Sequence, residues 1–169
     1  MTKRNPLPSY EKVRELFDYD PRTGLLYWRK ARSNIKAGSV AGAKRGDEGY
    51  LQVSIDNKLY RVHLIIWVWM TGFEPTLMID HENTIKSDNR WINLREATKS
   101  QNMANNGPLK NNRSGVKGVY WYAAYGKWVS QFVKDGKAYF VGYFDSLDKA
   151  TAAHEKKYRE VYGEFARTA

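Results

Sequence analysis

Leu77-Met-Ile-Asp80-His81, the polar run Glu82 to Arg90, Ile92-Asn-Leu-Arg95 and Thr98-Lys-Ser-Gln101-Asn102 form the stretch whose reading decides the fold. Leu77 to Ile79 predicts a short apolar strand running directly into Asp80 and His81. The loop from Glu82 to Arg90 holds few residues suited to a core, and Ile92 to Arg95 resumes an extended pattern. Thr98 and Gln101 stand at capping-box spacing, in which the threonine hydroxyl takes an orphan amide and the glutamine reaches back to the cap. They open a short helix carrying Gln101, Asn102 and Asn105. Strand, loop, strand, helix is a small ββα unit.

Outward from this block, Ser9 caps a helix with Tyr10, Val13, Leu16 and Phe17 on one face, closed by Pro21. A strand follows at Gly24 to Trp28. Residues 30–48, rich in Gly, Lys, Arg and Ala, read as an exposed loop able to follow a phosphate backbone. Leu51, Val53 and Ile55 alternate with polar residues, and Asp56-Asn57-Lys58 turns the chain into Leu59 to Val62, a hairpin. His63 to Met70 is apolar all round and stops at Gly72, which predicts a buried helix. Asn105 to Gly115 is a linker dense in turn formers. Beyond it, Val116–Tyr122, Trp128–Lys134 and Ala138–Phe144 read as strands, and Ser146 starts a helix to about Tyr162 with Gly163 behind it.

The chain has 169 residues, room for one large domain or two small ones. Its 28 Lys+Arg against 18 Asp+Glu give a formal charge of +10. The absence of cysteine excludes disulfide scaffolds and thiolate-held metal sites. The excess charge lies in the flanks: +5 in residues 1–60, zero in 61–109 and +5 in 110–169. Cationic arms around a neutral centre suit a nuclease, whose arms hold phosphates while its centre offers oxygen ligands to a metal. Solvated charged faces with an accidental gap are the bland alternative. The longest apolar run, Leu64 to Met70, is far short of the ~20 residues of a membrane span. Nothing apolar follows the basic pair at the start of the chain, so it does not read as a signal peptide.

Hydrolysing a phosphodiester requires a group that takes a proton from water and something that stabilises the departing oxygen. Histidine suits the first task near neutral pH, and carboxylate and amide oxygens are hard ligands suited to magnesium or manganese. Neighbours in a strand, Asp80 and His81 point to opposite faces. Asn102 can close on Asp80 if its helix packs on the hairpin.

Tyr60-Arg-Val-His63, Gly72-Phe-Glu-Pro75, Ile79-Asp-His81, Asn89, Asn93-Leu-Arg95 and Gln101-Asn-Met-Ala-Asn105 resemble the HNH homing endonucleases of phages, which are ββα-metal nucleases. The resemblance covers about residues 10–106. It implies that Asp80 and Asn102 hold the metal, that His81 is the general base, and that Asn93 holds the loop so that His81 is aimed. Asparagine in place of the last histidine favours Mg²⁺ or Mn²⁺ over zinc or nickel. His63 matches a position often histidine in these proteins, with a structural or a substrate-positioning role. Asn89 and Asn105 have bland readings as turn and helix-end residues.

Ser114 to Tyr120, Gly126-Lys-Trp128, Val141 to Phe144 and the last helix resemble the plant ethylene-response-factor (apetala-type) DNA-binding domain, over about residues 113–166. Strand alternation puts Trp128, Ser130 and Phe132 on one face and Val129, Gln131 and Val133 on the other. The resemblance makes Trp128 and Phe132 packing residues and turns Tyr120, Tyr122, Gln131, Val133 and Phe140 toward DNA, with Lys117 beside them. That family's DNA-facing arginines are replaced here by tyrosine, valine and phenylalanine, so its target sequence does not carry over. Contact through aromatics and Lys117, Lys127, Lys134 and Lys137 favours backbone and shape readout, with partial unstacking as an option. His154 reads as a surface or packing residue.

The expectation is an α+β protein: a basic helix and hairpin region contacting DNA (1–60), an HNH ββα-metal nuclease core (61–106), a linker (107–115), and a three-stranded antiparallel sheet packed on one helix (116–169). The expected activity is a metal-dependent endonuclease cutting double-stranded DNA with His81 and Asn93 as its catalytic set and Asp80 and Asn102 on Mg²⁺ or Mn²⁺. The expected DNA contacts are Lys36, Lys44, Arg45, Arg113, Lys117, Tyr120, Tyr122, Lys127, Gln131, Lys137 and Phe140. No membrane and no obligatory protein partner are expected, and the location is cytoplasmic, in a bacterial host if the gene is a phage's. The rival readings are a non-catalytic DNA-binding regulator and an RNA-binding or RNA-cleaving protein.

Overall fold

Ser9 begins the first helix as its spacing requires: its hydroxyl accepts from the Lys12 amide at 3.3 Å and α1 runs Tyr10–Leu16. In this computed structural model, which describes residues 5–46, 49–109 and 111–168, the helix does not reach Pro21. Phe17–Asp20 is a strand, β1, paired antiparallel with β2, Leu25–Trp28. The reason is alternation. Phe17 and Tyr19 are buried, while Asp18 turns outward to a two-pronged ion pair with Arg29 at 2.7 and 3.0 Å. Phe17 sets its ring 4.6 Å from that of its cross-strand partner Trp28.

Of the stretch 30–48, residues 30–46 are more ordered than an exposed loop, and Asp47 and Glu48 lie outside the described residues. The chain doubles back along β2, with Trp28 and Ala41 amides bonded to Ser39 and Leu26 carbonyls, and Ala41 is buried. It then forms β3, Ala43–Lys44, at the edge of a three-stranded antiparallel sheet with β4, Leu51–Ile55, and β5, Lys58–Arg61. Asp56 and Asn57 both take positive φ in the β4–β5 turn, the conformation that two-residue hairpins favour. The apolar helix α2, Val62–Thr71, buries Val62 to Ile66 and Val68 and ends on Gly72, whose amide returns to the Val68 carbonyl. Strand β6, Met78–His81, pairs with β7, Leu94–Ala97, and a 3-10 turn at Trp91–Asn93 leads into the second strand.

The chain divides into two units between Glu96 and Ala97. The first, residues 1–96, packs α1, α2 and the hairpins around Val13, Phe17, Leu26, Ile55, Ile65 and Ile66. The second opens with α3, Lys99–Asn105, where both bonds of the Thr98–Gln101 capping box form. Its sheet has the order β10-β9-β8, from Val119–Tyr122 (β8), Lys127–Lys134 (β9) and Lys137–Phe144 (β10). Helix α4, Leu147–Tyr162, capped by Ser146, covers one face of this sheet. Phe132, Tyr158, Tyr162 and Phe165 fill the space beneath with Ala97 and Ala104. Val116 to Gly118 forms a turn, so β8 starts later than its apolar pattern suggests. The readings of Met1 to Arg4 and of Lys110 in the linker lie outside the described residues. No helix among the described residues is long and apolar enough to cross a membrane.

Candidate active site

The site of the first unit is built on β6. Met78 faces solvent, and Ile79, Asp80 and His81 are buried. Asp80 and His81 go to different partners, as neighbours on a strand must. Asp80 Oδ2 accepts from Arg95 Nε on β7 at 3.1 Å, and a second guanidinium nitrogen of Arg95 lies 3.9 Å from Glu82. His81 Nε2 lies 3.0 Å from Asn89 Oδ1. With that oxygen as acceptor, Nε2 carries the ring proton and Nδ1 keeps its lone pair.

The imidazole edge meets the His63 ring at a centroid distance of 4.9 Å and 90°. Tyr50 lies 5.2 Å from His63 and 5.9 Å from His81, with Arg61 at 4.2 Å and Lys86 at 4.9 Å from the Tyr50 ring. The result is a histidine pair rimmed by two cations and one phenol. Burial pushes the His81 imidazole below its ordinary value; the Asn89 hydrogen bond and the charges of Asp80 and Asp88 pull it up, and Lys86 pushes it down. Neutral at pH 7, the ring can accept a proton.

The loop between the strands is tied at several points. Asn93 Oδ1 accepts from the Asn83 amide at 2.9 Å and Nδ2 donates to the Asp88 carbonyl at 2.7 Å, so one side chain spans the loop. The Glu82 amide bonds the Asn93 carbonyl at 3.0 Å. Arg90 donates to Asp88 through Nε and an η nitrogen at 2.8 and 2.6 Å, holding that carboxyl down at about 2. Asn89 is 1% exposed, and its carbonyl accepts from the Tyr19 hydroxyl at 2.7 Å.

Lys36 and Arg45 line one depression of about 470 Å³ in the first unit, with Trp28, Val40 and Gln52, and Lys44 is exposed on β3. Asn102 lies half-buried on α3 of the second unit. Tyr120, Tyr122, Phe140, Arg113 and Lys137 are exposed there, and Gln131 donates to the Tyr120 hydroxyl at 3.0 Å. Lys117 is half-buried and its ammonium donates to the Met103 and Asn106 carbonyls at the end of α3. Lys127 pairs with Asp145. Sequence reasoning did not assign Asn89 a site role and passed over Tyr125 and Tyr143. A buried asparagine in a polar loop has no local signal, but the exposed aromatics stand in a strand pattern that could have been counted.

Among the described residues no three His, Cys, Asp or Glu side chains cluster as a metal cage. The candidate donors, the carboxylate of Asp80 and the carboxamide of Asn102, offer hard oxygen. That chemistry fits a magnesium-like ion, which keeps several waters and takes few protein ligands, and does not fit a zinc cage.

A family profile described as HNH endonuclease matches residues 60–104. Protein 3.8 of Escherichia phage T7 is 30% identical over 111 residues, which cover 65% of this chain and 91% of that protein. No solved structure matches significantly. The chain belongs to the family of the phage T7 protein 3.8 and carries an HNH endonuclease domain at residues 60–104.

Proposed function

We propose that the protein is a metal-dependent endonuclease of the phage homing type that hydrolyses phosphodiester bonds in duplex DNA. One observation carries the reading: His81, buried next to Asp80 on β6, is held through Nε2 by Asn89 Oδ1 at 3.0 Å, which aims the ring proposed to take a proton from water. The water, its proton taken by His81, attacks phosphorus as the P–O3′ bond breaks, and the departing O3′ takes a proton from solvent, leaving a 5′ phosphate and a 3′ hydroxyl. Asp80 and Asn102 would hold Mg²⁺ or Mn²⁺, which would supply positive charge to stabilise the leaving group. Asn93 acts on the loop that carries Asn89, and Asn89 acts on the ring, so both are positioning residues. Lys36, Lys44 and Arg45 track phosphates from the first unit. The second unit, with its resemblance to ethylene-response-factor domains, grips the DNA through the exposed face of its sheet. Lys117 and Lys127 remain candidate contacts of that grip; in the free protein their ammonium groups serve the Met103 and Asn106 carbonyls and the Asp145 carboxylate.

Supercoiled plasmid with Mg²⁺ tests this directly, wild type against His81→Ala. Loss of nicking in the variant, with the folded-state spectrum kept, supports the assignment. Equal relaxation by both proteins removes His81 as the base.

A further inference from the structure

The outer face of the sheet in the second unit, opposite α4, carries a group of exposed aromatic rings: Tyr120, Tyr122, Tyr125, Phe140 and Tyr143. Cross-strand register puts Tyr120 and Tyr143 on either side of Val129, and Gln131 opposite Phe140. Phe140 and Tyr143 are three apart on β10, a spacing that would send them to opposite faces of a regular strand. A bulge between Phe140 and Gly142 inserts the extra residue that brings them to the same face. The rings then form a chain: Phe140 to Tyr143 at 5.2 Å, Tyr143 to Tyr125 at 5.3 Å, Tyr125 to Tyr122 at 5.1 Å, each near edge-to-face. All four rings are exposed, between 40% and 61%.

The occupant is set by chemistry. The three strands carry three lysines, Lys127, Lys134 and Lys137, and no carboxylate, and residues 97–169 hold 12 Lys+Arg against 6 Asp+Glu, so the unit that presents this face suits a polyanion. Reading base edges in a duplex groove needs donors such as arginine or free amides. Here Gln131 is bonded to Tyr120, and the positions around it are tyrosine, phenylalanine and valine. Flat rings instead offer π-faces, which a base reaches only when it leaves its own stack.

We infer that this face binds single-stranded or locally unpaired DNA by stacking bases on Tyr122, Tyr125, Phe140 and Tyr143. The choice of DNA rests on the endonuclease reading; the stacking mode rests on the sheet itself.

Fluorescence anisotropy of the full chain in EDTA, where no cutting occurs, compares a labelled 20-mer, its perfect duplex and the same duplex with an internal bubble. The expected result is that the single strand and the bubble bind about tenfold or more tighter than the duplex. Phe140→Ala with Tyr143→Ala should lose about tenfold on the single strand and little on the duplex, while Tyr143→Phe keeps wild-type affinity because the ring remains. Equal or tighter duplex binding, or a preference for the matching RNA strand, overturns the inference. So does a double alanine variant, folded by circular dichroism, with unchanged single-strand affinity. The plasmid assay run alongside separates the two readings: a protein that stacks single strands but does not nick keeps this inference and loses the nuclease, and the reverse holds equally.

Discussion

The Tyr19 hydroxyl donates a 2.7 Å hydrogen bond to the carbonyl of Asn89, whose side chain holds the His81 ring at 3.0 Å. The first hairpin therefore braces the loop that aims the candidate base. Tyr19 sits in a buried position where desolvation drives its phenol upward, so it stays a neutral donor across the working range. Tyr19→Phe leaves a buried carbonyl unsatisfied and should cost about 1–3 kcal/mol in urea unfolding. Plasmid nicking should fall through kcat, with KM for DNA little changed. Asn89→Ala, which frees the ring itself, should lower kcat further, by about 10–100-fold, the range seen for partners that orient a reactive group. Unchanged kcat in both variants would show that the brace does not reach His81.

Gly24 makes the same contact from the turn of that hairpin. Its φ is +75°, and a Cβ there would lie 2.4 Å from the Arg90 amide nitrogen and 2.6 Å from the Asn89 carbonyl carbon. Both neighbours are backbone and cannot step aside. Gly38 has nearly the same φ, +77°, in open space. Gly38→Ala should cost about 1–2 kcal/mol, the left-handed conformation alone. Gly24→Ala should cost clearly more and depress nicking with it. Matched denaturation midpoints for the two variants would contradict the close packing.

Much of this was legible because local signals agreed with the fold. The Thr98–Gln101 box, the Ser146 cap and the Gly72 stop each sit where the residues place them. The first helix was overextended because Phe17 suits a helical face and a strand pair alike, and only Trp28 across the sheet decides between them. Asp80 and His81 announced themselves by type and adjacency. Asn89 did not, since its partner stands eight residues away across a loop of polar residues. Tyr143 was hidden by parity: the bulge that turns it outward is a property of strand pairing, not of its neighbours in the chain.

His154 supplies a pH test of the second unit. Its ring is fully buried, with Nδ1 2.9 Å from Ser130 Oγ and no hydrogen-bond partner for Nε2 among the described residues. Burial lowers it to about 4, with Glu155 pulling up and Lys117 pushing down. The unfolded chain binds this proton near 6.5 and the folded chain does not until about 4. Stability is therefore whole above pH 6.5 and declines as pH falls from 6.5 to 4, by up to about 3 kcal/mol in all. Urea midpoints for wild type and His154→Leu at pH 7 and pH 5 check it. The wild type should lose stability over that interval and the variant should lose less; parallel losses would assign the acid sensitivity to other groups.

Arg95 and Asp80 form an ion pair with both side chains largely buried, 15% and 6% exposed. Removing one member takes a charged partner from the other, buried group and costs about 3–5 kcal/mol, far more than for a surface pair. Arg95→Leu should therefore unfold at a lower temperature in EDTA. The same carboxylate is the proposed ligand of Mg²⁺, so the cation can replace the lost guanidinium, and a ligand bound only by the folded state raises stability with its concentration. Melting temperature should climb more steeply with Mg²⁺ in Arg95→Leu than in wild type, where the guanidinium already neutralises Asp80. Asp80→Asn, which removes the charge that either cation serves, should show little response to Mg²⁺. A Mg²⁺ response in Asp80→Asn equal to that of the wild type would move the ion to other residues and leave the Arg95 pair a purely structural contact.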